Sequence, residues 1–177
     1  MGASEFEEAY GADESQRNRD AQRLGESILR EKCGGVGIHD ALTVPHTATI
    51  REAIDVMVQN RVGCVLVVDG KTLVGIFTER DVMTRVVHNG IAQDRPITDA
   101  MTPDPAVLGP NDPLVFLLNR MVDGGFRHVP IVDLQSHPLG VISVRGVVEW
   151  VVSHVRRAVL NLPPRVRESY PPQREGG

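Results

Sequence analysis

Met57-Val-Gln-Asn-Arg-Val-Gly-Cys-Val-Leu-Val-Val-Asp69 and Met121-Val-Asp-Gly-Gly-Phe-Arg-His-Val-Pro-Ile-Val-Asp133 are two versions of one segment, 64 residues apart. Directly downstream, Leu73-Val-Gly-Ile-Phe-Thr78 matches Pro138-Leu-Gly-Val-Ile-Ser143 at an offset of 65, so the intervening loops differ by one residue. Self-similarity at a fixed period marks one supersecondary unit used twice. The copies extend over about residues 42–89 and 106–160.

Both copies have the same order. A short extended piece (Leu42-Thr-Val44; Ala106-Val-Leu108) leads to a helix starting near Thr49 or Asp112, and Thr49-Ile-Arg-Glu52 has the form of a capping box. Two apolar strands follow. In the first copy Cys64 to Val68 and Leu73 to Phe77 are joined by Asp69-Gly-Lys-Thr72, a turn short enough to force antiparallel pairing. The last strand runs into a second helix, over residues 79–88 in one copy and 144–160 in the other. The unit is strand, helix, strand, strand, helix, and the fold class is mixed α/β.

Composition agrees with that order and excludes several functions. The chain has 177 residues, 41% of them hydrophobic, enough to bury a core without staples. Its 26 valines against seven aromatics favour short strands and close packing over a core of stacked rings. With 19 Lys and Arg against 23 Asp and Glu the net charge is -4, the opposite of a nucleic-acid footprint. Cys33 and Cys64 are too few for a disulfide framework and are read as a small flank residue and a strand core residue, in a reduced, cytoplasmic setting. No stretch approaches the roughly 20 apolar residues of a membrane span, so a soluble protein with no membrane partner is expected. Four regions are expected: a charged, partly helical extension (1–36), repeat one (37–95), repeat two (96–162) and an irregular proline-rich tail (163–177). The helical part of the extension is placed at about residues 14–32, on the thin apolar stripe of Leu24, Ile28 and Leu29.

Chemistry concentrates where the last strand of each copy meets the last helix: Gly75-Ile-Phe-Thr78-Glu-Arg80-Asp81 and Gly140-Val-Ile-Ser143-Val-Arg145-Gly146. A helix N-terminus offers free amide protons and a positive dipole end, suited to a phosphate, with a hydroxyl and an arginine beside it. Asp81, one turn on, suits the vicinal hydroxyls of a sugar. The competing reading makes Thr78 and Ser143 plain N-caps and Asp81 a favourable first-turn acid. Repetition of hydroxyl and arginine at matching positions favours the ligand.

These residues, with Ala100-Met-Thr-Pro103 and Arg127-His-Val-Pro-Ile-Val-Asp133, resemble a tandem pair of CBS domains, the Bateman module, over about two-thirds of the chain from Ile38 to Leu160. The resemblance implies two β-α-β-β-α repeats packed as a pseudo-twofold pair that binds an adenine-containing ligand (AMP, ADP, ATP or S-adenosylmethionine) in clefts between them. It places the phosphate contact on Thr78 and the ribose contact on Asp81. Ser143 matches Thr78, but Gly146 stands where the second aspartate should be and cannot hold a ribose, so two unequal clefts are expected. Family members carry basic residues before the Pro-hydrophobic-hydrophobic-Asp strand, which implies Arg127 and His128 as phosphate neighbours; a surface ion pair and a satisfied strand histidine are the alternatives. Leu42 and Val62 are the implied apolar contacts of the adenine.

His39 and His46 lack a third ligand at useful spacing, so no metal is expected, and no cofactor. Nothing resembles a catalytic constellation, so no enzyme is expected. Val147-Val-Glu-Trp-Val-Val152, Val155 and Val159 make a strongly apolar helix, read either as core or as the face of a homodimer. Two functions remain: an adenine-nucleotide sensor whose repeat orientation is read by a separate partner, and a dimerising scaffold with degenerate clefts.

Overall fold

The computed structural model describes residues 19, 22 and 25–159; Leu24, the tail from residue 163 and the side chains of Val155 and Val159 lie outside the described residues. Repeat one consists of β1 (Thr43–Pro45), α1 (Ile50–Asn60), β2 (Cys64–Asp69), β3 (Thr72–Thr78) and α2, a single turn Glu79–Asp81 that continues as a π-helix over Val82–His88. The capping box forms as read. The Thr49 amide donates to Glu52 Oε2 at 2.7 Å, and the Glu52 amide donates to Thr49 Oγ1 at 3.2 Å. Arg61 in the left-handed region, φ 54°, ends α1. The π-helical turns were not foreseen: the apolar spacing of 82–88 reads as ordinary helix, and π-turns often mark functional sites.

A linker carries β4 (Thr102–Pro103) and leads into α3 (Leu114–Asp123), β5 (His128–Val132), β6 (Pro138–Ser143) and α4 (Val144–Val159). Leu108 takes the place of a leading strand through a parallel bridge to Ile131, as β1 pairs parallel to β2. The hairpins correspond residue for residue: Cys64 faces Thr78 and His128 faces Ser143.

Each sheet is completed by a segment that precedes the other repeat. β4, from the linker, pairs antiparallel with β3 (Gly75 with Pro103, Ile76 with Thr102), while His39, ahead of repeat one, pairs antiparallel with Val141 on β6. Glycine at both crossing points is a packing requirement. A Cβ on Gly75 would overlap the Met101 sulfur, and one on Gly140 would overlap the Ile38 methyl and the His39 carbonyl.

Two apolar cores result, with a third cluster between them. Ile50, Ala53, Val65, Val67, Phe77 and Ile97 centre the first; Leu114, Leu117, Val129, Ile131, Ile142 and Trp150 centre the second. Cys64, Leu66 and Ile76 meet Val141 across the pair. Buried side chains on both faces of β2 explain its unbroken Val-Leu-Val-Val run, and each fully buried aliphatic contributes roughly 1.5–3 kcal/mol.

Residues 25–30 are helical, and Ile28 packs against the second core while Leu29 is exposed. From Glu31 onward the expected extension is a strap on repeat two. The Cys33 amide donates to the Asp112 carbonyl at 2.9 Å, the Leu114 amide to the Glu31 carbonyl at 2.8 Å, and Cys33 and Val36 enter that core. Burial pushes the Cys33 thiol up to about 11 and the Cys64 thiol up to about 12, so both stay protonated and act as apolar packing groups. α4 answers both readings of its valines: Val147 and Trp150 are buried, while Val144, Val148 and Val152 are exposed.

Candidate functional site

A cavity of about 420 Å³ opens at the end of β3 and draws its walls from both repeats. Thr78, Arg80 and Asp81 form one side, and Arg127 and His128 form the other. Five of the eight residues singled out in the sequence therefore meet in one place.

Asp81 is the buried charged side chain among the described residues, 6% exposed, and both its oxygens have partners. Its Oδ2 accepts from the Thr78 amide at 2.9 Å and from the Thr78 hydroxyl at 2.7 Å, and its own amide donates back to Thr78 Oγ1 at 3.3 Å. Its Oδ1 accepts from the Thr102 hydroxyl at 3.3 Å and lies 3.5 Å from Arg85 Nε. The capping reading of Thr78 is thus realised, and its single proton is directed at Asp81 rather than into the cavity. Oδ1, with only two long contacts, keeps capacity to accept further hydrogen bonds.

Arg85 fixes the linker. Its guanidinium donates to the carbonyls of Ala100, at 3.0 Å, and Met101, and to Thr102 Oγ1 at 3.4 Å. The Thr102 hydroxyl therefore stands between Arg85 as donor and Asp81 as acceptor, which couples α2 to β4 at the cavity floor. Arg80 crosses the cleft: its Nη1 donates to the Gly125 carbonyl of repeat two at 2.9 Å. His128 sits over Gly63, and its imidazole pKa is lowered, mainly by burial, with Glu79 opposing that shift and Arg127 reinforcing it.

The apolar wall is Pro105, Ala106 and Phe126 from repeat two, and Asp104 adds an acid at the rim. Leu42 and Val62, singled out as adenine contacts, are not among the lining residues; they pack against the first core. They are nonetheless the sister positions of Ala106 and Phe126 at the repeat offset of 64. In this cavity the strand-helix junction of repeat one thus faces Ala106 and Phe126 of repeat two, not Leu42 and Val62 of its own repeat. Ser143 is likewise outside this cavity and caps α4, accepting the Gly146 amide at 3.1 Å.

The arrangement offers two guanidiniums, a carboxylate with spare acceptor capacity and an apolar wall ending in an aromatic ring. A ligand with an anionic group, vicinal hydroxyls and a flat apolar body matches each feature in turn. Among the described residues no group of His, Cys, Asp and Glu side chains could hold a metal ion, and no helix is long and apolar enough to cross a membrane.

The family model for the CBS domain matches the chain twice, over residues 33–88 and 97–153. The CBS domain-containing protein CBSCBSPB1 of Arabidopsis thaliana is 33% identical over 132 residues, covering 68% of this chain and 24% of that protein, so the chain spans about a quarter of that relative. A CBS domain protein from Pyrobaculum aerophilum, complexed with AMP, matches with a TM-score of 0.62 at 24% identity, over 70% of this chain and 99% of that one. The CBS domain pair of protein MJ0100, complexed with 5′-methylthioadenosine and S-adenosyl-L-methionine, matches with 0.62 at 19% identity, over 70% and 97%. At these identities the structural likeness speaks for the fold.

Proposed function

This chain belongs to the CBS domain family, and on that premise we propose that it is a regulatory module that senses an adenine nucleotide in the cavity at Thr78. Asp81 Oδ1 holds the ribose hydroxyls, Arg80 and Arg127 with His128 face the phosphate, and Pro105, Ala106 and Phe126 wall the base. Thr78 positions Asp81 and reaches phosphate only by redirecting its hydroxyl proton. The observation that carries this reading is that one cavity joins Thr78, Arg80 and Asp81 of repeat one to Arg127, His128 and the apolar wall of repeat two. A ligand spanning both biases their relative angle to the extent that it binds one arrangement better, and a separate partner reads that angle. The solved relatives bound to AMP and to S-adenosylmethionine support the ligand class. Two arginines favour a phosphate-bearing adenylate (AMP, ADP or ATP) over a sulfonium. The module itself is regulatory and not catalytic.

Calorimetric titration with AMP, ADP, ATP, S-adenosylmethionine and NADH tests this. Saturable heat with a phosphate-bearing adenylate is expected; no heat with any of them at millimolar concentration overturns the sensor.

A second reading, assembly, rests on a different observation. Met83 and Val87 on α2 are 63% and 65% exposed, and their sister positions on α4, Val148 and Val152, are 53% and 48% exposed. The same face is apolar and exposed in both repeats, which offers a second copy of the chain a surface to cover. A dimeric mass by light scattering is expected, and a monomer at high concentration rules this out.

A further inference from the structure

Position 39 is the sister of position 102. Thr102 pairs with Ile76, and His39 bridges to Val141, the residue that matches Ile76 at the repeat offset. In repeat one the Thr102 side chain donates to the Asp81 carboxylate. In repeat two the carboxylate is absent, and the His39 ring stands in its place: Nε2 lies 3.3 Å and Cδ2 3.7 Å from where a Cβ on Gly146 would be. At the second junction the acid is absent and a ring stands at the facing position.

We propose that His39 plugs the second cleft, so that the chain takes one nucleotide, through Asp81, rather than one in each cleft. The proposal rests on the sensor reading above for the identity of the ligand. The plug is fixed by backbone on the sheet side. The His39 amide donates to the Val141 carbonyl at 3.1 Å, and the Val141 amide donates to the His39 carbonyl at 3.0 Å. Upstream, Cys33 and Val36 are buried in the core of repeat two, so the strap cannot swing out without opening that core. The imidazole presents no carboxylate to a diol, and although His39 is exposed its ring borders the position from which one would grow. Gly146 is therefore where the missing group would have to grow, and His39 is what it would meet.

The test is calorimetry with AMP on four forms of the full chain: wild type, Asp81→Ala, the double variant His39→Thr with Gly146→Asp, and all three changes together. Wild type is expected to bind one AMP per chain and the double variant two. Asp81→Ala alone is expected to bind at least tenfold more weakly, and the triple variant to regain one site at least tenfold tighter than Asp81→Ala. Two sites on the wild-type chain, or a triple variant no tighter than Asp81→Ala, overturns the plug. A wild type that binds nothing beside a triple variant that binds sinks the sensor reading of the first cleft and leaves the plug standing. Should the triple variant fail to fold by circular dichroism, the imidazole resonances of His39 in Asp81→Ala decide. They are expected to stay unmoved up to millimolar AMP, and a saturating shift overturns the proposal.

Discussion

Two strand-helix junctions built on one plan differ most at one carboxylate, Asp81 against Gly146. At the first, Asp81 closes a reciprocal box with Thr78 and gathers Thr102 and Arg85 around its other oxygen. At the second, Ser143 makes only the forward half of the box, and the sister of Arg85 is Trp150, buried in the core and stacked near His154 with ring centroids 4.1 Å apart. One junction organises charge at a cavity wall; the other organises apolar packing. The same backbone supports either, because the hydroxyl cap satisfies the helix start in both and leaves the third residue of the helix free to specialise.

The strongest way to break this comparison is at the carboxylate itself. Asp81→Ala leaves the Thr102 hydroxyl and the Thr78 amide without their acceptor and Arg85 without its ion-pair partner, and a loss of about 3 kcal/mol in denaturant unfolding is expected, with AMP affinity falling about tenfold to hundredfold. A loss no larger than that of an exposed cap would show that the network carries no more than a cap does. Next are the crossing glycines. Gly140→Ala meets the His39 backbone and is expected to cost about 2 kcal/mol, whereas Gly75→Ala meets the flexible end of Met101 and should cost less; equal melting points would remove the distinction. Ser143→Ala removes one cap bond, about 1 kcal/mol, and should leave AMP affinity unchanged.

The smallest effect is a pH dependence. His128 and Cys64 are sister positions, and the thiol, pushed up to about 12, does not titrate near neutrality. The imidazole does, and burial holds its folded pKa below the usual 6.5. The unfolded chain therefore takes up its proton first, so the stabilisation is present above about pH 6.5 and is lost as the pH falls below it. Wild type should lose more stability between pH 7 and 5 than His128→Gln; parallel curves would count against a buried neutral imidazole.

The fold was legible because it is written twice: Cys64 to Phe77 and His128 to Ile142 each show a hairpin, and Thr49 with Glu52 announces a helix start. The junction residues were legible for the same reason. What comparison of like with like does not reveal is which unlike parts meet: the lining of Ala106 and Phe126 beside Thr78 comes from the other repeat, not from Leu42 and Val62. Thr102 and Arg85 escaped for a related reason. A hydroxyl in a linker and an arginine among the π-helical turns of α2 acquire meaning only when β4 is laid against β3. The strap was read by its charge, while Cys33 and Val36 within it were going to the core.

The exchange of sheet edges also sets an order of events on the ribosome. Repeat one has its whole sheet once Pro103 has emerged, using residues no further than about sixty positions apart. His39 must wait until Val141 is synthesised, about a hundred residues later, before its backbone has a partner. Residues 31–34, by contrast, have their backbone partners once Pro110, Asp112 and Leu114 have been made. The His39–Val141 bridge can therefore close only after both hairpins have been synthesised.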